Sequence, residues 1–264
     1  MADRIKSLGN KIGNNNATID EVTMFVTLVM QIAVEKVNEL FSPRQLIKRD
    51  RLIEPLPTNK RQLSSYRTRL GTIFEYALSS QMDSIIKEKF DFDLRLTFAV
   101  AHQYPDFLIR DNTLQSSVRI EMKAVDADSE EQAARFEVLS SLIQGEKDVV
   151  VLIGWEWYED ELENGIKCEY PIIFSFVVVP AAELANERDE SVRLRGGRVE
   201  ADRILVPTRG DPNKLKLDEG NAGKILRLVH KTRKKEPFKL SQYIQRYLQF
   251  TDIIERRKKD NKDE

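Results

Sequence analysis

Polar and apolar positions alternate along this chain in blocks with two different periods. Thr18-Ile-Asp-Glu21 has the spacing of a capping box, in which the threonine hydroxyl and the glutamate carboxylate each take an otherwise unpaired backbone N–H. It opens an apolar stretch that predicts a helix to about Phe41. Pro43, Pro55 and Pro57 then mark an irregular basic connection. From about Ser65 to Phe90 apolar residues fall at 66, 70, 73, 74, 77, 78, 82, 85 and 86, the rhythm of a long amphipathic helix. At about 100° per residue, Glu75 lies on the flank of that apolar face.

The period then shortens. "LRLTFAV" (94–100), "DFLIR" (106–110) and "VRIEMKAV" (118–125) read as strands, the last two joined by a hairpin loop, "DNTLQSS". Ser129-Glu-Glu-Gln132 repeats the capping-box spacing and predicts a helix to about Gln144. "VVVLIGW" (149–155) and "IIFSFVVV" (172–179) are uninterrupted apolar strands of the kind buried on both faces. The order helix, three strands, helix, strand, strand predicts an α/β fold, a central mixed β-sheet flanked by α-helices. Residues 183–240 carry "RGGR", "TRGDPNK" and "EGNAGK" around one short strand, "RILVP", and read as largely irregular. A final amphipathic helix over about 240–255 precedes a charged tail expected to be disordered. The expected organisation is an N-terminal helical segment (1–62), a core (63–182) and a basic, loop-rich region with a C-terminal helix (183–264) packed on it.

Composition narrows the class. The longest apolar run, 24–34, is broken by Thr27 and Gln31 and falls short of the roughly 18–20 residues that span a bilayer. No charged-then-apolar leader opens the sequence, so a cytoplasmic protein is expected. The single cysteine, Cys168, excludes an internal disulfide and a cysteine-based zinc site. Net charge is −1, which argues against indiscriminate coating of nucleic acid, but the charges are segregated. Residues 43–69 carry eight Lys/Arg against two Asp/Glu, and residues 188–247 sixteen against eight. Such segments suit one face that meets a polyanion, or are simply solvated.

The chemistry concentrates in 104–125. Alternation along 118–125 places Val118, Ile120, Met122 and Ala124 on one side of the sheet and Arg119, Glu121 and Lys123 on the other. If the preceding strand pairs through the 111–117 loop, Asp106 comes to stand beside Glu121. Two adjacent carboxylates repel unless a cation lies between them. With oxygen ligands and only two histidines in the chain, Mg²⁺ is favoured over zinc. Lys123 can orient or acidify an attacking water, or stabilise the charge that develops on phosphorus.

Pro105-Asp106 followed by Glu121-Met122-Lys123 resembles the PD-(D/E)xK nuclease superfamily, specifically its type II restriction endonucleases, over roughly residues 65–180. The resemblance implies a restriction-endonuclease-like core and Mg²⁺-dependent cleavage of double-stranded DNA. It implies one or two Mg²⁺ per site, held by Asp106, Glu121 and the Met122 carbonyl, with Lys123 as the catalytic lysine. Many members add a glutamate from the helix before the sheet, here Glu75. A palindromic site cut by a homodimer follows from the same resemblance, and the apolar 18–41 helix is a candidate for the dimer contact. A repair or structure-specific nuclease, and an inactive DNA-binding protein on the same core, are the alternatives.

For reading DNA, Arg193, Arg195, Arg198, Arg209, Asn213 and Lys214 on the glycine-rich segments are the candidates for base contacts. Lys60, Arg61, Arg67 and Arg69 suit phosphates. Asp126 and Asp128 read as caps for the 129–144 helix, with a second metal as the alternative. His102, just before the site, reads as a DNA contact or a hydrogen-bonded loop histidine, and His230 shows no partner. The glycine motifs match no nucleotide-binding fingerprint, so no nucleotide cofactor is expected, and Trp155 and Trp157 read as core.

Overall fold

The computed structural model describes residues 1–41, 49–50, 54–55, 57–99, 104–129, 134–161, 165 and 167–263. The chain opens with helix α1 (Ala2–Gly13), whose Ile5, Leu8 and Ile12 are buried. Helix α2 (Ile19–Leu40) starts at the Thr18–Glu21 capping box, with both reciprocal bonds formed. Helix α3 (Lys60–Ser84) runs on into a π-helical turn, Ile85–Lys89.

Five strands follow: β1 (Leu94–Phe98), β2 (Phe107–Asp111), β3 (Ser116–Asp126), β4 (Asp148–Glu161) and β5 (Lys167–Pro180). They form one sheet in chain order. β1 pairs antiparallel with β2, β2 antiparallel with β3, β3 parallel with β4, and β4 antiparallel with β5. This is the mixed sheet that the strand pattern predicts. β2 and β3 carry a bulge: Ile109 faces Val118 but Arg110 faces Ser116, leaving Ser117 as the extra residue.

β4 shows why the sheet is a middle layer. Val149, Val151, Ile153 and Trp155 pack into a core shared with α1, α2 and α3, alongside Phe25, Met30 and Phe74. Val150 and Leu152, on the other side, join Leu184, Tyr247 and Ile254. Those residues come from helices α4 (Ala181–Leu194) and α6 (Gln242–Asp263). Each such aliphatic side chain, wholly withdrawn from water, contributes about 1.5–3 kcal/mol. At Gly154 the Ile254 methyl approaches so closely that a Cβ would lie 2.4 Å from it, so α6 seats against β4 only over a residue without a side chain.

Several expectations are corrected. The helix predicted over 129–144 is not formed in its described part. Residues 134–139 form no helix, only an isolated bridge between Arg135 and Lys224, and a single 3₁₀ turn, Ser140–Leu142, follows. The reason is non-local: Phe136 N–H donates to Gly223 O (2.7 Å), and Ala134 O accepts from Ile225 N–H (3.1 Å). Residues 183–240 are more regular than their glycines suggest. They hold most of α4, a three-stranded antiparallel sheet of β6 (Arg198–Val199), β7 (Ile204–Pro207) and β8 (Leu215–Leu217), and a single helical turn, α5 (Lys231–Lys234). The charged tail is helical to Asp263, and Arg257 anchors it by pairing with Glu156 (3.2 Å) and lying over Phe174. The apolar circumference of α2 is largely accounted for within the chain, with Val22, Phe25, Val26, Val29, Met30, Ala33 and Val37 all buried. No described helix is long and apolar enough to cross a membrane.

Candidate active site

The β2–β3 ladder sets Phe107 across from Ile120, so the next position of the same register brings Asp106 opposite Glu121. Residues directly opposite in an antiparallel pair project to the same side. Asp106 is held there through its backbone as well, its carbonyl accepting from Ala99 N–H at 2.9 Å. Its Oδ2 accepts from Met122 N–H at 2.8 Å.

Around the Lys123 ammonium three oxygens converge: Glu121 Oε1 at 2.8 Å, Met122 O at 2.9 Å and Asp106 Oδ2 at 3.3 Å. These are the three groups that the sequence resemblance assigns to a metal. Glu121 is buried, and its Oε2 accepts no hydrogen bond. Burial pushes the Glu121 carboxyl up, Lys123 opposes the shift, and the Asp106 charge adds to it. Burial works against the charge of Lys123, but Glu121 and Asp106 outweigh it and raise the ammonium above its ordinary range. Glu75, from α3, faces the same group. Its carboxyl is pushed up to about 7 by burial, with Lys123 opposing and Asp106 and Glu121 adding.

Among the described residues no group of three or more His, Cys, Asp and Glu stands in a metal-ligating arrangement. The set here is two carboxylates and a main-chain carbonyl gathered on one cation. It is all hard oxygen, as Mg²⁺ prefers, and the partnerless Glu121 Oε2 leaves a ligand atom to spare. The residues therefore fit such an ion.

The site opens into a cleft of 930 Å³ walled by α3 (Arg67, Gly71, Glu75), the end of β1 (Phe98), β3 (Glu121, Lys123) and the 134–138 segment. A second ion pair lies in it, Arg67 Nε with Asp126 Oδ2 at 2.6 Å. Burial raises the Asp126 carboxyl to about 6 despite the arginine. Asp126 is thus paired with Arg67 instead of capping a helix, and Asp128 N–H donates to its Oδ1.

One element of the site was not visible in the residue pattern. Tyr104, two residues before Asp106, donates its hydroxyl to Asp148 Oδ2 at 2.5 Å. Asp148 is wholly buried, also accepts from Gln144 N–H (2.9 Å), and pairs with Arg119 Nε at 3.3 Å. The Arg119 guanidinium in turn lies over the Tyr104 ring. The available signal was the acid immediately before an apolar strand, a position that a buried strand normally avoids.

The other candidates separate into groups. Lys60 is the first residue of α3, Arg61 and Arg69 are exposed on it, and Arg67 turns inward to Asp126. Arg193 belongs to the last turn of α4, with Glu190 as its partner, and Arg198 to β6; neither lies on a loop. Arg195 donates to Arg227 O. Arg209, Asn213 and Lys214 are exposed in the β7–β8 turn, as expected. The stretch after β8 reaches the cleft wall, where Arg135 Nη1 donates to Glu219 O at 3.2 Å. His230 caps α5 by accepting from Thr232 N–H, and His102 lies outside the described residues. Trp155 is core, packed on Phe74.

No protein-family model matches the chain, and no curated protein matches it. The functional reading rests on the site itself.

Proposed function

We propose that this protein is a Mg²⁺-dependent endodeoxyribonuclease on a restriction-endonuclease-like core. Its most specific form is a type II restriction enzyme that cuts a short site in double-stranded DNA as a cytoplasmic homodimer. One observation carries the reading: the β2–β3 register that aligns Asp106 with Glu121 so that both carboxylates and the Met122 carbonyl meet at a single cation position.

Asp106, Glu121 and the Met122 carbonyl would hold the Mg²⁺, which when bound supplies a water of lowered pKa and neutralises charge on the phosphate. The chain's own residues do the rest. Met122 N–H fixes the Asp106 carboxylate. Lys123 keeps a positive charge where an attacking water and a phosphate oxygen meet. Glu75, its carboxyl pushed up to about 7 mainly by burial, exchanges its proton near neutral pH and in its protonated form can donate a hydrogen bond to a phosphate oxygen. Arg61 and Arg69 lie exposed on the same helix for more distant phosphates.

The test is incubation of supercoiled plasmids with Mg²⁺, with Asp106→Asn and Lys123→Ala beside the wild type. Discrete fragments that vanish in both variants are expected. Cleavage without discrete fragments would move the reading to a repair or structure-specific nuclease. DNA bound but never cut, in Mg²⁺ or Mn²⁺, would leave only a binding protein.

A further inference from the structure

Three aromatic rings climb out of the site toward solvent. Phe107, next to Asp106, is buried; Phe98, its ladder partner on β1, packs on it with ring centroids 5.0 Å apart. Phe98 is 54% exposed and lines the cleft. Tyr76 stacks on Phe98, centroids 5.6 Å apart and planes within 17°, and is itself 64% exposed. Tyr76 directly follows Glu75 on α3, so the ladder starts beside one acid of the site and ends beside another.

Exposed, parallel aromatic rings are costly surface unless something covers them. Among the described residues the apolar patch consists of Tyr76, Phe98 and Ile73, the last 39% exposed. Three side chains are far from the roughly 800 Å² per partner that a stable protein interface buries. A nucleobase needs only one ring face. The cations of the cleft lining are paired within it, Arg67 with Asp126, Lys123 with Glu121 and Asp106, and Arg135 with Glu137. Arg69, by contrast, lies exposed two turns before Tyr76 on the same side of α3, where it can meet a phosphate next to a stacked base.

We propose that the Tyr76–Phe98 ladder is a stacking platform for one unpaired nucleobase of the DNA strand bound in the cleft. The preferred substrate is then DNA with a base out of the duplex stack near the phosphate to be cut, by mismatch, strand opening or extrusion. This deepens the nuclease reading and rests on it. Stacking on an aromatic side chain is sequence-tolerant, because every base has a π-face, so the platform selects an unstacked state rather than a letter. Its place beside the acids is fixed by the sheet, since Phe98 pairs with Phe107 and the next residues on, Ala99 and Asp106, are joined by a backbone hydrogen bond.

The experiment is equilibrium binding in EDTA, without cleavage, of two oligonucleotide duplexes carrying 2-aminopurine, one fully paired and one with the analogue unpaired opposite an abasic position. Wild type is expected to bind the unpaired probe about tenfold or more tightly and to quench its fluorescence, within the range that base–aromatic stacking provides. Tyr76→Leu loses both the preference and the quench but keeps its affinity for the paired duplex, and Tyr76→Phe restores both. Equal affinity of wild type for the two probes overturns the proposal while leaving the nuclease reading to the plasmid assay. Unchanged preference in Tyr76→Leu also overturns it. If Tyr76→Leu instead converts a wild-type dimer to a monomer in sedimentation, with probe preference intact, the rings belong to a second copy and the proposal fails. Failure to bind either probe, together with no plasmid cleavage, removes the nuclease reading as well.

Discussion

Tyr104 and Asp148, 44 residues apart, are joined by a 2.5 Å hydrogen bond from phenol to carboxylate. The bond ties the turn that delivers Asp106 to the first residue of β4, itself aligned with Arg119 in the β3–β4 ladder. Asp106 is therefore placed from both sides, by Met122 N–H in front and by this buried anchor behind. Tyr104→Phe removes one donor from a carboxylate with no access to water. A loss of about 1–3 kcal/mol in denaturant unfolding is expected, with cleavage falling further than the change in folded fraction explains. Unaltered specific activity of the folded variant would show that the anchor does not position Asp106.

Lys123 and a divalent cation compete for the same oxygens. Replacing the ammonium by an apolar group of similar length, Lys123→Met, leaves Asp106 and Glu121 without their counter-charge. The variant is expected to bind Mn²⁺ several-fold more tightly by calorimetry and yet to lose DNA cleavage by about hundredfold or more. Weaker Mn²⁺ binding in the variant would mean that the lysine supports the cation instead of excluding it.

Asp126 gives a pH dependence with a definite sign. Its folded carboxyl titrates at about 6, above the ordinary 3.8, because burial disfavours its charge more than Arg67 favours it. Between about pH 4 and 6 the folded state holds more protons than the unfolded one. Its contribution to stability is therefore lost as pH rises through that window. Asp126→Asn is expected to flatten this part of the curve relative to wild type, as measured by urea midpoints at successive pH values. An identical slope in the two proteins would assign the dependence to Glu75, Glu121 and the other raised carboxyls.

Arg188 is wholly buried in α4. It pairs with Asp189 (2.7 Å) and donates to the carbonyls of Phe136 and Val138 at 3.3 and 2.5 Å. It holds the cleft wall against α4. Arg188→Met strands the Asp189 charge, and a loss of about 3–5 kcal/mol is expected in thermal or urea unfolding. A loss below about 1 kcal/mol would show that water reaches the pocket left behind.

The strands of the sheet were legible because each carries a local signature, alternation in 118–125 and continuous apolar runs in 149–155 and 172–179. The meeting of Asp106 and Glu121 was legible in part: alternation puts Glu121 and Lys123 on one side and the hairpin brings Asp106 near them, but the exact pairing also needs the bulge at Ser117. What failed was decided at long range. The segment around Phe136 has the composition of a helix, but its backbone bonds go to Gly223 and Ile225, nearly ninety residues on. α4 was hidden because its buried face includes Glu187, Arg188 and Asp189, which a hydrophobicity pattern counts as solvent-facing. α1 was overlooked although Ile5, Leu8 and Ile12 are spaced for it. For Tyr104–Asp148 the acid before the apolar strand marked one end only, since neither residue's pattern names the other.

The bulge at Ser117 separates the β2–β3 hairpin into two halves with different registers. On the turn side, Arg110 pairs with Ser116, one step away from the register that holds beyond the bulge. On the other side, the pairing of Phe107 with Ile120 stays in step. The extra residue is thus the device that sets the parity: continued without it, the pairing of Arg110 with Ser116 would bring Asp106 opposite Ile120, a core residue, instead of Glu121.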